Sequence, residues 1–200
     1  SDIYRANEID SSLKYAQLGL MLSQIEKIDT FIAAGLHRVG YSHLRKENFE
    51  ESKIALLSSL EHLNKNRIFN INRGFIYDDL ALLYRSFEII DSSRIYSLLG
   101  YQEHLKRNDS IHIASALGQL AVLDYIENAF DTALTKFFRA KFLLESMPNI
   151  DYDALGPINQ NIGNVYFRMA GLFAGEVDTH YKDSSESYYL KAINDYRKIN

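Results

Sequence analysis

A pair of small residues, seven positions apart, recurs along the chain about every 40 residues. In the stretch FDTALTKFFRAK (130–141), Ala133 and Ala140 form such a pair, with Phe137 between them. On an α-helix, residues seven apart lie on one face, which can therefore approach a neighbouring helix closely. The first members of the pairs are Ser12, Ser52, Ser93, Ala133 and Ser185, at intervals of 40, 41, 40 and 52 residues, and the second members are Gly19, Ser59, Gly100, Ala140 and Ala192.

The same interval emerges when the chain is aligned with itself. Residues 10–20 (DSSLKYAQLGL) and 91–101 (DSSRIYSLLGY) share Asp, Ser, Ser, Tyr, Leu and Gly at an offset of 81 residues, which is two periods. A second helical pattern precedes four of the pairs, across a short polar break such as Lys46-Glu47-Asn48. Two helices joined by so short a break form an antiparallel hairpin, helix A followed by helix B. Helix A also carries a small residue at a constant phase, namely Gly40, Ala81, Ala121 and Gly163.

These positions resemble the tetratricopeptide-repeat (TPR) family, in which helix A carries a bulky residue, Leu-Gly and Tyr, and helix B carries Ala, Phe and Ala. The resemblance covers nearly the whole chain and implies an all-α fold, a right-handed α-α superhelix (solenoid) of antiparallel hairpins. The period is near 40 residues instead of the usual 34, and the Pro that closes each repeat is mostly missing. Such long-period variants resemble repeats of bacterial regulatory proteins and peptide receptors. The matching residues are Leu36, Val39, Gly40, Phe49, Ser52, Leu56 and Ser59; Tyr77, Leu80, Ala81, Tyr84, Ile90, Ser93 and Gly100; Leu117, Leu120, Ala121, Phe130, Ala133, Phe137 and Ala140; and Ile162, Gly163, Tyr166, Ser185, Tyr189 and Ala192.

The repeat predicts a single domain of one partial and four full units. Residues 1–30 supply a helix B without a complete helix A, so either the first helix A is non-standard or, as we expect, the chain is a fragment of a longer protein. The last interval is longer than the others, which predicts an extended helix A near Met169–His180. The full repeats are predicted at 31–65, 70–106, 109–147 and 152–200.

Composition excludes several classes of protein. The net charge of −4 is unlike the basic balance of a nucleic-acid-binding domain. No apolar run approaches the roughly 18 residues that a membrane-spanning helix needs. The absence of Cys rules out disulfides and thiolate metal sites but leaves the compartment open. We expect the cytoplasm, with the periplasm as the alternative for a membrane-anchored sensor.

The titratable residues do not form a recognisable catalytic or metal-binding motif. No two His residues have the HExxH or H-x3-H spacing that places two imidazoles on one helical face. Asp78 and Asp79 are adjacent on a helix and point in different directions. No phosphate-binding Gly-rich loop or nucleophile motif occurs. We therefore expect no enzymatic activity, no cofactor and no metal. The six His residues are His37, His43, His62, His104, His112 and His180.

The ligand is expected on the A helices, because the resemblance implies that they line the concave face. Arg side chains bind carboxylates, aromatic rings offer rigid contact area, and Asn side chains bond peptide backbones. In the first full repeat, the inward positions counted from the small residue are Ala34, His37, Arg38, Tyr41, Leu44 and Arg45. The predicted recognition set is Arg45, Arg85, Arg168, Tyr41, Tyr125, Phe167, Asn161 and Asn164.

Two functions remain open. The first is a scaffold or sensor module of a larger regulatory or signalling protein, which binds a protein or peptide in this groove. The alternative is a peptide-receptor regulator that acts on response regulators or transcription factors. Self-association is a third option, compatible with both, since an end helix exposes an unpaired face.

Overall fold

The computed structural model describes residues 2–65, 73–172 and 178–199, and within them every regular element is an α-helix. The chain divides into two compact units, Ser1–Gly100 and Tyr101–Asn200. The helices are α1 (Asp2–Ile25), α2 (Asp29–Arg45), α3 (Phe49–Lys65), α4 (Arg73–Ser86), α5 (Ile90–Lys106), α6 (Ser110–Ile126), α7 (Phe130–Glu145), α8 (Tyr152–Leu172) and α9 (Thr179–Arg197).

One kind of three-residue turn connects five pairs of consecutive helices. Its middle residue has a left-handed backbone, with φ between 52° and 61°, although none of the five is Gly. The next residue donates its backbone N–H to the carbonyl five positions earlier, as Asn48 does to His43 at 3.0 Å. Together these features form a Schellman motif, which satisfies the last carbonyls of the helix. The left-handed residues are Lys27, Glu47, Glu88, Asn108 and Asn128.

The turns explain the long period of the repeat. Helices α2, α3, α5 and α6 are each 17 residues long. A helix of that length and a turn of three residues advance the chain by about 20 residues, so a hairpin takes about 40. The long interval of the repeat therefore reflects the length of the helices, because turns of three residues lie near the short end of helix connections.

The small residues do bring hairpin partners close together, and the Ser residues add hydrogen bonds between the helices. The hydroxyl of Ser59 donates to the carbonyl of Ala33 at 2.7 Å, and that of Ser93 donates to the carbonyl of Ala81 at 2.8 Å. A Cβ atom on Gly40 would lie 2.7 Å from Cγ of Leu56, inside any normal contact distance. The helices of a hairpin thus touch through backbone as well as side chains.

Gly19 departs from the predicted packing. The repeat pattern places it against a neighbouring helix, but it is exposed, and a Cβ atom there would meet nothing within 4 Å. The close contact between α1 and α2 is instead made by Gly35, whose Cβ would lie 3.0 Å from the backbone of Leu20. The same residue type at the repeat interval therefore does not ensure the same packing position, because α1 turns a different face toward α2.

Each unit has its own hydrophobic core. Within residues 1–100, the core joins α2, α3 and α4 through buried side chains such as Leu56, Leu63 and Ile76. Within residues 101–200, the core joins α6, α7 and α8 around Phe137 and Ile162. No helix among the described residues combines the length and the apolar character needed to cross a membrane.

The buried small residues predict a clear cost of enlargement. Ala133 and Ala140 are both fully buried in the second core. We expect Ala133→Leu or Ala140→Leu to lower the free energy of unfolding by about 1–3 kcal/mol, because the extra methylenes force the hairpin apart. Urea denaturation followed by circular dichroism measures this change. An unchanged midpoint for both variants would contradict close packing of the α6–α7 hairpin through these residues.

Candidate functional site

The A helices of the first unit, α2 and α4, are joined by a polar contact of His37, one of the positions predicted to face inward. Nε2 of His37 lies 2.8 Å from Oδ2 of Asp79, and both side chains are largely buried. The pair fixes α2 against α4 in a way that packing of small residues alone would not. His37 and Asp79 thus have a structural role, since their contact holds α2 and α4 in place relative to each other.

A cavity of about 650 Å³ lies between α1 and α2. Three predicted inward positions of α2, namely Ala34, Arg38 and Tyr41, contribute to its wall. Aromatic rings and small residues form most of the remainder, and no acidic side chain is among the lining residues. That lining consists of Ser12, Tyr15, Ala16, Gly19, Ser23, Phe31, Ala34, Gly35, Arg38, Tyr41 and Ser42.

Tyr41 and Arg45 form a unit at one side of this cavity. Nη1 of Arg45 donates a hydrogen bond to the hydroxyl of Tyr41 at 3.0 Å, and the guanidinium lies 5.9 Å from the ring centre. Tyr41 remains 41% exposed. Because the hydrogen bond already holds the Tyr41 ring beside the Arg45 guanidinium, these side chains lose little conformational entropy when they contact a ligand.

Arg85, on α4, is in a different environment from Arg45. Its side chain is half-buried, and burial lowers the pKa of the guanidinium from its ordinary value. An Arg side chain nevertheless stays charged in a protein. Arg85 therefore carries a partly desolvated positive charge, which would interact more strongly with a carboxylate than a fully hydrated one would.

In the second unit, most of the predicted residues already have partners. Nη2 of Arg168 lies 3.4 Å from Oδ1 of Asn128, in the turn between α6 and α7. The ring of Tyr125 packs against that of Phe130, with centres 6.1 Å apart. These contacts tie neighbouring helices together, so Arg168 and Tyr125 contribute to packing as well as to the surface.

The two Asn residues of the predicted recognition set, Asn161 and Asn164, lie side by side on α8. Nδ2 of Asn164 is 3.4 Å from Oδ1 of Asn161, and Oδ1 of Asn164 accepts a hydrogen bond from the hydroxyl of Tyr189 at 2.9 Å. Phe167 is 65% exposed and borders a largely apolar cavity of about 600 Å³ between α8 and α9. The extension of helix A predicted near Met169–His180 includes residues 173–177, which lie outside the described residues.

The predicted recognition set is thus divided by its contacts. Tyr41 with Arg45 and Asn161 with Asn164 are brought together by side-chain contacts, each pair within one helix. Arg45 and Arg85 belong to the first unit and Arg168 to the second, so a joint role for the three remains a prediction. Arg38 was an inward position but not part of the set, although it lines the cavity.

A group that the sequence analysis missed lies at the turn between α5 and α6. One nitrogen from each of His104 and His112 and one oxygen of Asp109 all lie within 4.8 Å of one another. Among the described residues this is the one such group of three side chains that could hold a metal ion. Its sequence signal is H-x4-D-x2-H across a helix end, a spacing unlike that of metal motifs carried on a single helix.

Two solved structures resemble the chain. BtubC (BKLC) from P. vanneervenii superposes with a TM-score of 0.66 at 13% identity, covering 95% of this chain and 86% of BtubC. The apo form of RapI gives a TM-score of 0.64 at 14% identity, covering 98% of this chain and 61% of RapI, so the chain spans less than two thirds of RapI. No family model and no curated protein matches the sequence. At these identities the likeness shows the fold, an all-helical repeat solenoid.

Proposed function

We propose that this chain is a TPR-type module that binds a protein or peptide segment on the exposed face of its A helices, within a larger regulatory or signalling protein. The α1–α2 cavity carries the proposal, because predicted inward residues of α2 form its wall. Its volume of about 650 Å³ lies within the range of roughly 300–1,000 Å³ that ligand pockets occupy. In this proposal the chain acts by binding and not by catalysis.

The lining of the cavity indicates the chemistry of the ligand. Tyr15, Phe31 and Tyr41 offer aromatic surface, Arg38 supplies a positive charge, and Arg45 lies beside Tyr41. Aromatic side chains and Arg dominate the binding energy of protein interfaces. A peptide that places an apolar side chain in the cavity and a carboxylate near Arg38 or Arg45 would satisfy both features.

Selection from a phage-displayed random peptide library, with the whole chain as target, tests this proposal. We expect enriched peptides to combine an apolar anchor with an acidic residue. In fluorescence-polarisation titrations, the double variant Arg38→Ala/Tyr41→Ala should bind them at least about tenfold more weakly, since loss of one interface hot spot costs about 2 kcal/mol or more. The triple variant of Arg45, Arg85 and Arg168 to Ala tests the wider recognition set.

Phe142→Ala is the matched control, because this ring is among the most exposed in the chain and lies on helix B α7. Its affinity for the selected peptides should equal that of the wild type. Failure to enrich any peptide would contradict the function, whereas peptides that bind the double variant normally would contradict the site. Unchanged affinity in the triple Arg variant would remove those three residues from the proposal.

A second candidate is a peptide-receptor regulator that acts on response regulators or transcription factors. The observation that favours it is the likeness to RapI, which covers 98% of this chain and 61% of RapI. The two candidates differ in the number of partners. A scaffold binds one segment, whereas a regulator of this kind would change its affinity for a second protein when the peptide is bound.

A further inference from the structure

The backbone at the α5–α6 turn fixes two potential ligand side chains next to each other. Asp109 donates its backbone N–H to the carbonyl of His104 at 3.2 Å, the hydrogen bond that defines the Schellman motif at this helix end. Asn108 between them has φ of 52°. His104 is therefore held two residues before the end of α5, and Asp109 directly before the start of α6.

Asp109 also brings in the third side chain. It is the N-cap of α6 and accepts a hydrogen bond from the backbone N–H of His112 at its Oδ1 atom. Its other oxygen, Oδ2, lies 2.8 Å from Nδ1 of His112. One carboxylate thus orients the His112 imidazole while its backbone is tied to His104, so the turn itself assembles the cluster.

The two imidazoles have a spacing that one metal ion could bridge. Their ring centres are 5.1 Å apart. Two imidazoles bound to one tetrahedral Zn²⁺, through bonds of about 2.0–2.1 Å, place their ring centres roughly 5 Å apart. Moving Oδ2 of Asp109 and Nδ1 of His112 from 2.8 Å to roughly 3.3 Å would admit the ion between them.

We propose that His104, Asp109 and His112 form a binding site for a late first-row divalent cation such as Zn²⁺. Two imidazoles and one carboxylate are a donor set that suits Zn²⁺ and its neighbours, whereas Mg²⁺ and Ca²⁺ require mainly oxygen ligands. Three protein ligands leave a fourth position for water or a partner's side chain. The ion would clamp the end of helix B to the start of the next helix A.

Burial supports a site of this kind. The His104 side chain is completely buried, while Asp109 and His112 are half-buried and give access from solvent. The exposed side chain of Arg107 places Nη2 3.9 Å from Oδ2 of Asp109. A divalent cation would displace this guanidinium, because both compete for the same carboxylate oxygen.

The α2–α3 turn offers a matched comparison within the same chain. It has the same Schellman backbone, with His43 in the place of His104 and Asn48 in the place of Asp109. Nδ2 of Asn48 lies 3.5 Å from Nδ1 of His43, so an amide occupies the position of the carboxylate. This turn has one imidazole and no acid at the N-cap, and it should bind the ion poorly.

Isothermal titration of the whole chain with ZnCl₂ tests the proposal, alongside the visible absorption of bound Co²⁺, which reports the coordination number. The test variants are His112→Ala, Asp109→Asn and His104→Phe, and the control is His43→Ala. Asn remains a good helix N-cap, and Phe keeps a planar ring in the buried position. Circular dichroism confirms that each variant is folded.

We expect one Zn²⁺ per chain, a four-coordinate Co²⁺ spectrum, and binding at least about 10–100-fold weaker in each test variant, since even indirect supports of a metal ligand have effects of that size. The His43→Ala variant should bind as the wild type does. Absence of saturable Zn²⁺ binding would overturn the proposal. Equal binding by folded His112→Ala and Asp109→Asn, or a preference for Mg²⁺ or Ca²⁺, would overturn it as well.

Discussion

Replacing Phe137 with Ala is expected to lower the free energy of unfolding by about 3–5 kcal/mol, a larger effect than we expect from any of the other substitutions. Its ring is 1% exposed and lies at the centre of the core that joins α6, α7 and α8. Truncation removes apolar surface from that core and leaves a cavity that the surrounding helices fill only in part. Urea denaturation of the two proteins at one pH and temperature measures the difference.

Phe142→Ala provides the control on the same helix. Phe142 is 68% exposed, so its loss should change the free energy of unfolding by less than about 0.5 kcal/mol. The comparison separates burial from residue type, because both substitutions remove the same ring from α7. Equal effects of the two variants would show that the core is not organised around Phe137.

The second large effect concerns a polar contact inside the α8–α9 hairpin. Nδ2 of Asn159 donates a hydrogen bond of 2.7 Å to Oδ2 of Asp195, and both residues are buried. We expect Asn159→Ala to destabilise the chain by about 1.5–3 kcal/mol, since it removes a hydrogen bond to a charged group and leaves a buried carboxylate less well solvated. The same denaturation experiment measures it.

A double-mutant cycle identifies the cause. If the hydrogen bond is responsible, Asn159→Ala should cost much less when Asp195 is already Ala, because no carboxylate then needs a donor. Gln160→Ala is the matched control, as its exposed amide accepts a hydrogen bond from the hydroxyl of Tyr196. A strictly additive cycle would mean that Asn159 stabilises the hairpin in some other way.

The sequence was sufficient to predict the hairpins but not the way in which they are held. Small residues at a fixed interval report close approach, and this was enough for the all-α repeat fold. The same letters do not reveal that the hydroxyl of Ser185 bonds the carbonyl of Gly163 at 3.0 Å. Nor do they distinguish Gly100, which is buried, from Gly19, which is open to solvent. Those outcomes depend on the phase that each helix presents to its partner.

The candidate site was harder to predict for a related reason. Helical phase predicts the face on which Arg45 and Arg168 lie, but it does not predict which neighbours their long side chains contact. In the structure, Arg45 contacts Tyr41 and Arg168 contacts Asn128. The cluster of His104, Asp109 and His112 depends on a left-handed turn without Gly, so its usual sequence marker was absent. Recognising it requires the backbone of the turn and not only the spacing of the residues.

The short turns also have a consequence for how the chain folds. Each helix of the pairs α1–α2, α2–α3 and α6–α7 packs against its neighbour in sequence. Little chain entropy is lost in closing such short connections, and proteins with mainly local contacts fold within microseconds to milliseconds. The contacts within a hairpin can therefore begin to form once its own stretch of about 40 residues is available, but its core is completed only when the next helix packs on it, as α8 does on α6 and α7.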